Sequence, residues 1–386
     1  MAKVAIVGIG STKFSKNSGV SVLQLALEAS LSAIQDADVP VDEVDAVVTY
    51  AMGDSARPQA VITGLGLPRI GHYLDIYGGG QVCIETLALA EMLIATGRAR
   101  NVLVYRAMNG RSGYRLGGSD MEERFARGEG ESQYNYPYGW VSYPQYIAMS
   151  ARRHMLKYGT TSAAFAEVAL TCRENATLNE RAVMQTAMTI DDYYGSRMIA
   201  DPLRLYDICL ETDGACALLV TSVEDAEGLP HRPVHVLSAE QGGGTRPGLA
   251  FEGSFTSPEL ADLYGSYIAE PLFGRAGVTQ DDIDVASFYD CFTFSVLAQL
   301  EGLGFCKPGE SQDFVLDGHI RRTGSLPINT NGGMLSEAYI HGLNGVVEIV
   351  SQLRGDAGDR QVPDANVGLA TGFGVTTGCA AILAAA

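Results

Sequence analysis

Phenols, a glycine run and one thiol are the groups in this chain whose types and spacing can do chemistry. Tyr289 closes the short run Val285-Ala286-Ser287-Phe288 and is followed at once by Asp290-Cys291-Phe292. Tyr339 and, two residues on, His341 come after the small-residue turn Asn329-Thr330-Asn331-Gly332-Gly333. A phenol has an ordinary pKa of about 10, so it donates at neutral pH and acts as a base only where its surroundings depress that value. Asp290 can orient such a phenol or cap a helix running from Phe292 onward. The glycines Gly78-Gly79-Gly80 permit a tight strand-to-helix turn, and their lack of side chains lets backbone N–H groups approach a carbonyl at a helix N-terminus. Gly80, together with Gly374 near the C-terminus, is therefore a candidate oxyanion donor. Cys83, one turn later, is either a nucleophile or a buried apolar thiol. Arg106, Arg111 and Arg115, with Arg152, Arg153 and Lys157, are local positive charges that a phosphate can use; the alternative is a set of solvated or interface charges.

Other chemistries are excluded by what accompanies these groups. The seven cysteines, at 83, 172, 209, 216, 291, 306 and 379, are an odd number without a CxxC pair, which indicates neither a disulfide framework nor a zinc ribbon. The six histidines form no HExxH arrangement, and no metal site is expected. Acidic residues outnumber basic ones 45 to 27, for a net charge of −18, which argues against binding a nucleic-acid backbone. No stretch reaches the roughly 20 apolar residues of a membrane span, and the opening MAKVAIVGIGSTKF lacks the core of a signal peptide. A cytoplasmic protein is expected. With 386 residues, 46% of them hydrophobic, the chain can bury a large core.

The elements that must position these groups read as α/β. Val4–Val7 is a β-branched strand ending at Gly8 and Gly10, followed by a helix with Leu23, Leu27, Leu31 and Ile34 along one face. Ala46-Val47-Val48-Thr49-Tyr50 reads as a strand covered on both faces. A helix from about Cys83 to Thr96 stops at Gly97 and leads into the strand Asn101–Tyr105. The segment Ala37–Tyr50 aligns without gaps on Ala276–Tyr289, an offset of 239 residues. A second pair, Arg98–Tyr105 and Arg360–Thr371, repeats a helix, a polar turn and a small-residue strand in the same order. The chain therefore reads as a duplicated α/β domain. One half comprises residues 1–106 and 202–235, the other 236–386; the polar, aromatic and glycine-rich stretch 107–201 between them is an insertion expected to cover a site at the end of the sheet.

Five segments, in order, carry a resemblance to the thiolase superfamily and to its lipid-transfer-protein branch. They are GTTSAAFAEVA, SRMIADPLRLYDICLETDGACALL, FYDCFTFSVLAQLEGLGFCKPGES, NTNGGMLSEAYIHGLNG and QLRGDAGDRQV. The resemblance implies two βαβαβαββ halves in a five-layered αβαβα sandwich, an intervening loop domain and a tight homodimer. It also exposes what is missing. The position of the family's nucleophilic cysteine falls on Gly80, that of its second cysteine on Ala370, that of the GHP histidine on Tyr339 and that of the HDCF histidine on Tyr289. His341 sits two positions beyond the GHP histidine and is a secondary candidate.

Claisen chemistry needs a thiolate to carry an acyl group, which glycine and alanine cannot do. Retro-aldol cleavage of a β-hydroxyacyl thioester needs no nucleophile, only a base for the hydroxyl, donors for the enolate oxygen and an acid for the α-carbon. Tyrosines at these positions and the run VYRAMNGRSGYR are similar to those of thiolase-like aldolases of bacterial steroid side-chain degradation. That likeness implies cleavage of a 17-hydroxy steroid 20-carboxyl-CoA to a 17-ketosteroid and propionyl-CoA, with Tyr289 and Tyr339 sharing the acid and base roles. It further implies no cofactor beyond the coenzyme A of the substrate, and a partner with an OB-fold domain of the acyl-CoA hydratase-associated type. The competing expectations are a thiolase using Cys83 and a non-catalytic subunit that binds acyl-CoA.

Overall fold

A computed structural model describes residues 2–113, 115, 134, 136–140, 142–244 and 264–386. Nine strands join in one sheet: β1 (Val4–Ser11), β2 (Ala46–Ala51), β3 (His72–Tyr77), β4 (Val102–Asn109), β7 (Asp213–Ser222), β8 (Val234–Gly243), β9 (Val285–Ser287), β10 (Val367–Gly374) and β11 (Thr377–Ala385). The short pair β5 (Met198–Ala200) and β6 (Leu203–Arg204) stands apart from it. Among the described residues the helices of eight residues or more are α1 (Val22–Asp36), α2 (Pro58–Leu65), α3 (Glu85–Ala95), α4 (Tyr143–Tyr158), α5 (Ser162–Thr177), α6 (Tyr264–Ala276), α7 (Thr293–Gly302) and α8 (Leu343–Arg354).

The duplication is visible in the sheet order, β3-β2-β4-β7-β1-β8-β11-β10-β9. In the first half β2 runs parallel to β3 and β4, and β7 runs antiparallel to β4 and β1. In the second half β9 is parallel to β10 and bridges in parallel to Ile328, and β11 is antiparallel to β10 and β8. The two arrangements match strand for strand, with a single bridge at Ile328 where the first half has β3. They meet where β1 and β8 pair through Ala5–His235 and Ile6–Val234.

Side-chain alternation assigns the layers, because successive residues of a strand face opposite sides. Ala5 and Val7 pack outward with α1, whereas Val4 and Ile6 pack inward with Ile84 and Leu87 at α3 and with Val346 and Val350 of α8. Across the molecule Ala381 and Leu383 share that inner core, while Ala380 and Ile382 face the outer core that includes α6 and α7. The result is the expected αβαβα sandwich, with α3 and α8 as its central layer. Apolar area removed from water on all these faces is the main stabilising term.

The buried face of α1 differs from the leucine stripe expected. Leu25, Ala26, Ala29, Ala33 and Ile34 are buried, and Leu31 is 38% exposed. The reason lies on β1: a Cβ at Gly8 would sit 2.0 Å from the Ala33 carbonyl oxygen, and one at Gly10 2.1 Å from that of Ala29. Such close approach selects alanines, and larger residues rotate to the rim. β4 continues past residue 106 to Asn109, and β8 begins at Val234. Between β4 and β7 the chain forms α4, α5 and a short helix Ile190–Gly195; Tyr114 and most of the glycine-rich run after it lie outside the described residues. No helix among the described residues is long and apolar enough to cross a membrane.

Candidate active site

Tyr289 follows β9 directly, and its main chain is held by three polar side chains. Its N–H donates to Thr371 Oγ1 at 2.8 Å, and its carbonyl accepts from Gln299 Nε2 at 3.0 Å and Ser295 Oγ at 2.9 Å. Tyr339 lies on the far side of the Gly332-Gly333 turn, where Thr212 Oγ1 accepts from its N–H at 2.9 Å and donates back to its carbonyl at 3.3 Å. So anchored, the two phenols meet, Oη to Oη, at 2.9 Å, with their rings near perpendicular at 73°. Burial raises the pKa of both well above the ordinary value; the Tyr339 phenol adds to this at Tyr289, and the thiols of Cys209 and Cys291 add to it at Tyr339 against the opposing pull of the Tyr289 hydrogen bond. Both are therefore protonated at neutral pH, and the depressed pKa that a free phenolate base requires is absent from this pair.

Gly80 opens the 3-10 turn Gly80–Val82 that leads into α3. A Cβ on it would lie 2.1 Å from Tyr289 Cζ and 2.3 Å from Oη. The phenol thus occupies the space a side chain at residue 80 would need, so a nucleophile there and a tyrosine at 289 exclude each other. The end of β10 presses on the same turn: a Cβ at Gly372 would be 2.1 Å from the Gly80 carbonyl oxygen, and one at Gly374 2.8 Å from Gln81 Cβ. Gly80 accordingly lies against the Tyr289 phenol, and Gly374 packs on the next residue of the same turn, Gln81.

Asp290 takes neither role expected of it. Its Oδ1 accepts from the N–H of Met334 at 2.8 Å and its Oδ2 from that of Leu335 at 3.2 Å. It caps the short helix Gly333–Ser336 rather than the helix after Phe292, and so ties the loop that carries Tyr339 to the strand that carries Tyr289. Burial lifts its pKa to about 6 against the opposing pull of those amides. Cys83 is fully buried, its Sγ 3.9 Å from that of Cys379, and burial pushes its thiol well above the ordinary range. Cys291 is likewise buried, 3.8 Å from Ser295 Oγ.

The arginines divide. Arg106 is wholly buried; its Nη2 lies 2.7 Å from Asp54 Oδ2 and 2.7 Å from His341 Nδ1, so it is not available to a phosphate. Arg115 is paired with Glu211, Nε to Oε2 at 2.7 Å. Arg111 is exposed, its N–H anchored 3.1 Å from Asp213 Oδ1. Arg152 is ion-paired with Asp201, and with Arg153 and Lys157 it borders a groove on α4 that also includes Trp140, Met149 and Leu156. His341, by contrast, does join the phenols: its ring packs edge-on to Tyr339 at 4.8 Å between centroids. Asp54, Tyr50 and Thr212 were not expected at this site. Asp54 lies four residues beyond the strand-end tyrosine, but no sequence signal ties it to Arg106. Among the described residues no cluster of His, Cys, Asp or Glu is arranged to hold a metal ion.

A duplicated αβαβα sandwich whose two halves meet at a polar cluster over the N-terminus of a central helix defines the thiolase superfamily, and residues 266–384 match its "Thiolase C-terminal domain-like" family model. The chain is 42% identical to a steroid side-chain-cleaving aldolase of Thermomonospora curvata, covering 97% of this chain and 96% of that one. It is also 42% identical to a 17-hydroxy-3-oxo-4-pregnene-20-carboxyl-CoA lyase of Mycobacterium tuberculosis, with 97% of each covered. A solved Ltp2-ChsH2(DUF35) aldolase superposes with a TM-score of 0.91 at 40% identity, over 100% of this chain and 98% of that one. The chain belongs to the family of thiolase-like steroid side-chain-cleaving aldolases.

Proposed function

We propose that this protein is a carbon–carbon lyase that cleaves a β-hydroxyacyl-CoA with a steroid acyl group, releasing a 17-ketosteroid and propionyl-CoA. The observation that carries the mechanism is the 2.9 Å contact between the hydroxyls of Tyr289 and Tyr339. Because both phenols are protonated, the base is the pair rather than one phenolate. In one concerted relay, one oxygen takes the proton of the substrate hydroxyl and passes its own proton to the second tyrosine, whose hydroxyl proton leaves toward the α-carbon in the same event, so neither oxygen ever carries two protons. The bond between the hydroxyl-bearing carbon and the α-carbon breaks, its electrons forming the thioester enolate, and the second tyrosine protonates the α-carbon. The pair thus moves one proton from oxygen to carbon and returns to its starting state. General acid–base catalysis of this kind contributes about 10²–10⁴-fold.

The backbone amides of Gly80 and Gly374 are the proposed donors to the enolate oxygen, where fixed dipoles in a dry site act most strongly. Asp290 holds the Tyr339 loop and touches no substrate. Arg111 is the exposed cation proposed for a coenzyme A phosphate. No cofactor is invoked beyond the coenzyme A of the substrate. A thiolase mechanism through Cys83 is disfavoured, since that thiol is enclosed and held protonated. By kinship with the Ltp2-ChsH2(DUF35) aldolase, we propose that a homodimer of this chain works with an OB-fold partner.

Mass spectrometry of products tests the reading. The chain, co-purified with its partner, is incubated with a 17-hydroxy steroid 20-carboxyl-CoA, and 17-ketosteroid with propionyl-CoA is the expected outcome. Intact substrate after incubation with a folded, complete complex overturns it.

A further inference from the structure

His341 belongs to the second half of the chain, yet the polar side chains that hold it come from the first. Its backbone φ is +48°, in the left-handed region that residues with side chains avoid, and Tyr50 Oη donates to its carbonyl at 2.8 Å. Strain of this kind persists where surrounding contacts over-determine it and clusters at functional positions. Its ring is clamped by Arg106 Nη2, 2.7 Å from Nδ1, and the same Nη2 is 2.7 Å from Asp54 Oδ2. A guanidinium has donors only. Nδ1 is therefore the acceptor, and the ring proton resides on Nε2. Among the described residues Nε2 has no acceptor, although His341 is 1% exposed. The ring lies between Tyr339 and the glycine turn, with Cε1 3.4 Å from where a Cβ on Gly79 would be.

We infer that Arg106 and Asp54 are positioning residues that present His341 Nε2–H to the thioester oxygen of the bound substrate. This rests on the retro-aldol reading, in which that oxygen becomes an enolate. An imidazolium would surrender its proton to the enolate, whereas a neutral N–H stabilises the charge and stays in place. Burial, and then the charge of Arg106, lower the His341 pKa to about 3 against the opposing pull of Asp54, so the ring is neutral through the working range. The other titratable groups around it are Tyr50, whose ring lies under the Arg106 guanidinium at 5.4 Å, Tyr339, and more distantly Asp75 on β3. Asp54 balances the buried guanidinium, which would be costly alone.

The test combines ¹⁵N-histidine NMR of the complete complex with steady-state kinetics. In the wild type, the His341 resonances should report a neutral ring protonated at Nε2 from pH 5 to pH 8. Arg106→Gln should lower kcat about 10²-fold, as loss of one oxyanion donor does, with KM little changed and a new acid limb in kcat, because removing the Arg106 charge while Asp54 stays raises the His341 pKa even though the ring remains buried. That limb should vanish in Arg106→Gln/His341→Gln, and the two losses should not multiply. Asp54→Asn should give a smaller loss in kcat. A wild-type ring protonated at Nδ1 or charged at pH 7, or losses that multiply, overturns the inference. If Arg106→Gln does not fold, Asp54→Asn and the wild-type spectra decide. If the wild type cleaves no steroid acyl-CoA, the retro-aldol reading fails on its own, while the spectra still judge the clamp on His341.

Discussion

Tyr50 and Tyr289 occupy the same position in the two repeats, each just at the end of a strand parallel to two neighbours, and they do different work. Tyr50 is fully buried; its hydroxyl is used up on the His341 carbonyl at 2.8 Å, and its ring lies under Arg106. Tyr289 is nearly as buried, but its hydroxyl faces another hydroxyl, that of Tyr339. A phenol bonded to a carbonyl can only donate and is a strut. A phenol bonded to a second phenol can donate or accept, so the bond can reverse, which is what a proton relay needs. Duplication supplied two equivalent strand ends, and the partner across the gap separated their roles.

The largest expected effect breaks that difference at its active end. Tyr289→Phe and Tyr339→Phe should each lower kcat by about 10²–10⁴-fold while circular dichroism and complex formation stay normal. Wild-type turnover in both would reduce Tyr289 to a strut like its mate. Next comes Gly80→Ala, whose methyl would collide with the Tyr289 ring. Displacing a catalytic group by about 1 Å costs on the order of 10²-fold, so activity should fall with Tyr289 itself unchanged; crystallography of the variant should find the phenol shifted.

The loop carrying Tyr339 has no counterpart at Tyr50, and its stability should depend on pH. Glu337 is buried among Asn179, Asn331 and Asn344, and burial raises its pKa from 4.5 to about 7. The folded state thus holds the proton more tightly, so this group's contribution is complete below pH 4.5 and is lost as pH rises through 7. The unfolding free energy of the wild type relative to Glu337→Gln should drop by about 3 kcal/mol across that window, measured by urea titration at several pH values. A difference that is flat or rises with pH contradicts the raised pKa. The smallest effect is at the strut: Tyr50→Phe leaves a buried carbonyl without its donor and should cost about 1–2 kcal/mol of stability, with a smaller loss in kcat than Tyr289→Phe.

The fold was legible because its cause is local and repeated. Alternating and continuous apolar runs mark strands, and the gapless match of Ala37–Tyr50 to Ala276–Tyr289 marks the duplication. Gly80, Tyr289 and Tyr339 were legible too, since each replaces a group that thiolase chemistry requires. The leucine face of α1 was misread because helical spacing carries no information about how closely the neighbouring strand approaches; Gly8 and Gly10 decide that from another element.

The sequence by itself determined that the nucleophile is gone, that two phenols stand in the motif positions and that a central layer of helices lies between two like halves. Those conclusions follow from the resemblance that the five ordered motifs carry, together with the repeat of Ala37–Tyr50 at Ala276–Tyr289. Only the tertiary structure decided what each polar group faces. It took Arg106 away from any phosphate and gave it to Asp54 and His341, separated by 52 and 235 residues in the chain. It turned Asp290 toward the Met334 and Leu335 amides, more than forty residues on. A charge or a hydrogen-bonding group is free to choose among all the partners that folding brings within about 3 Å, and in the interior, where an unpaired one is costly, that choice depends on the packing of distant elements rather than on the neighbouring residues of the chain.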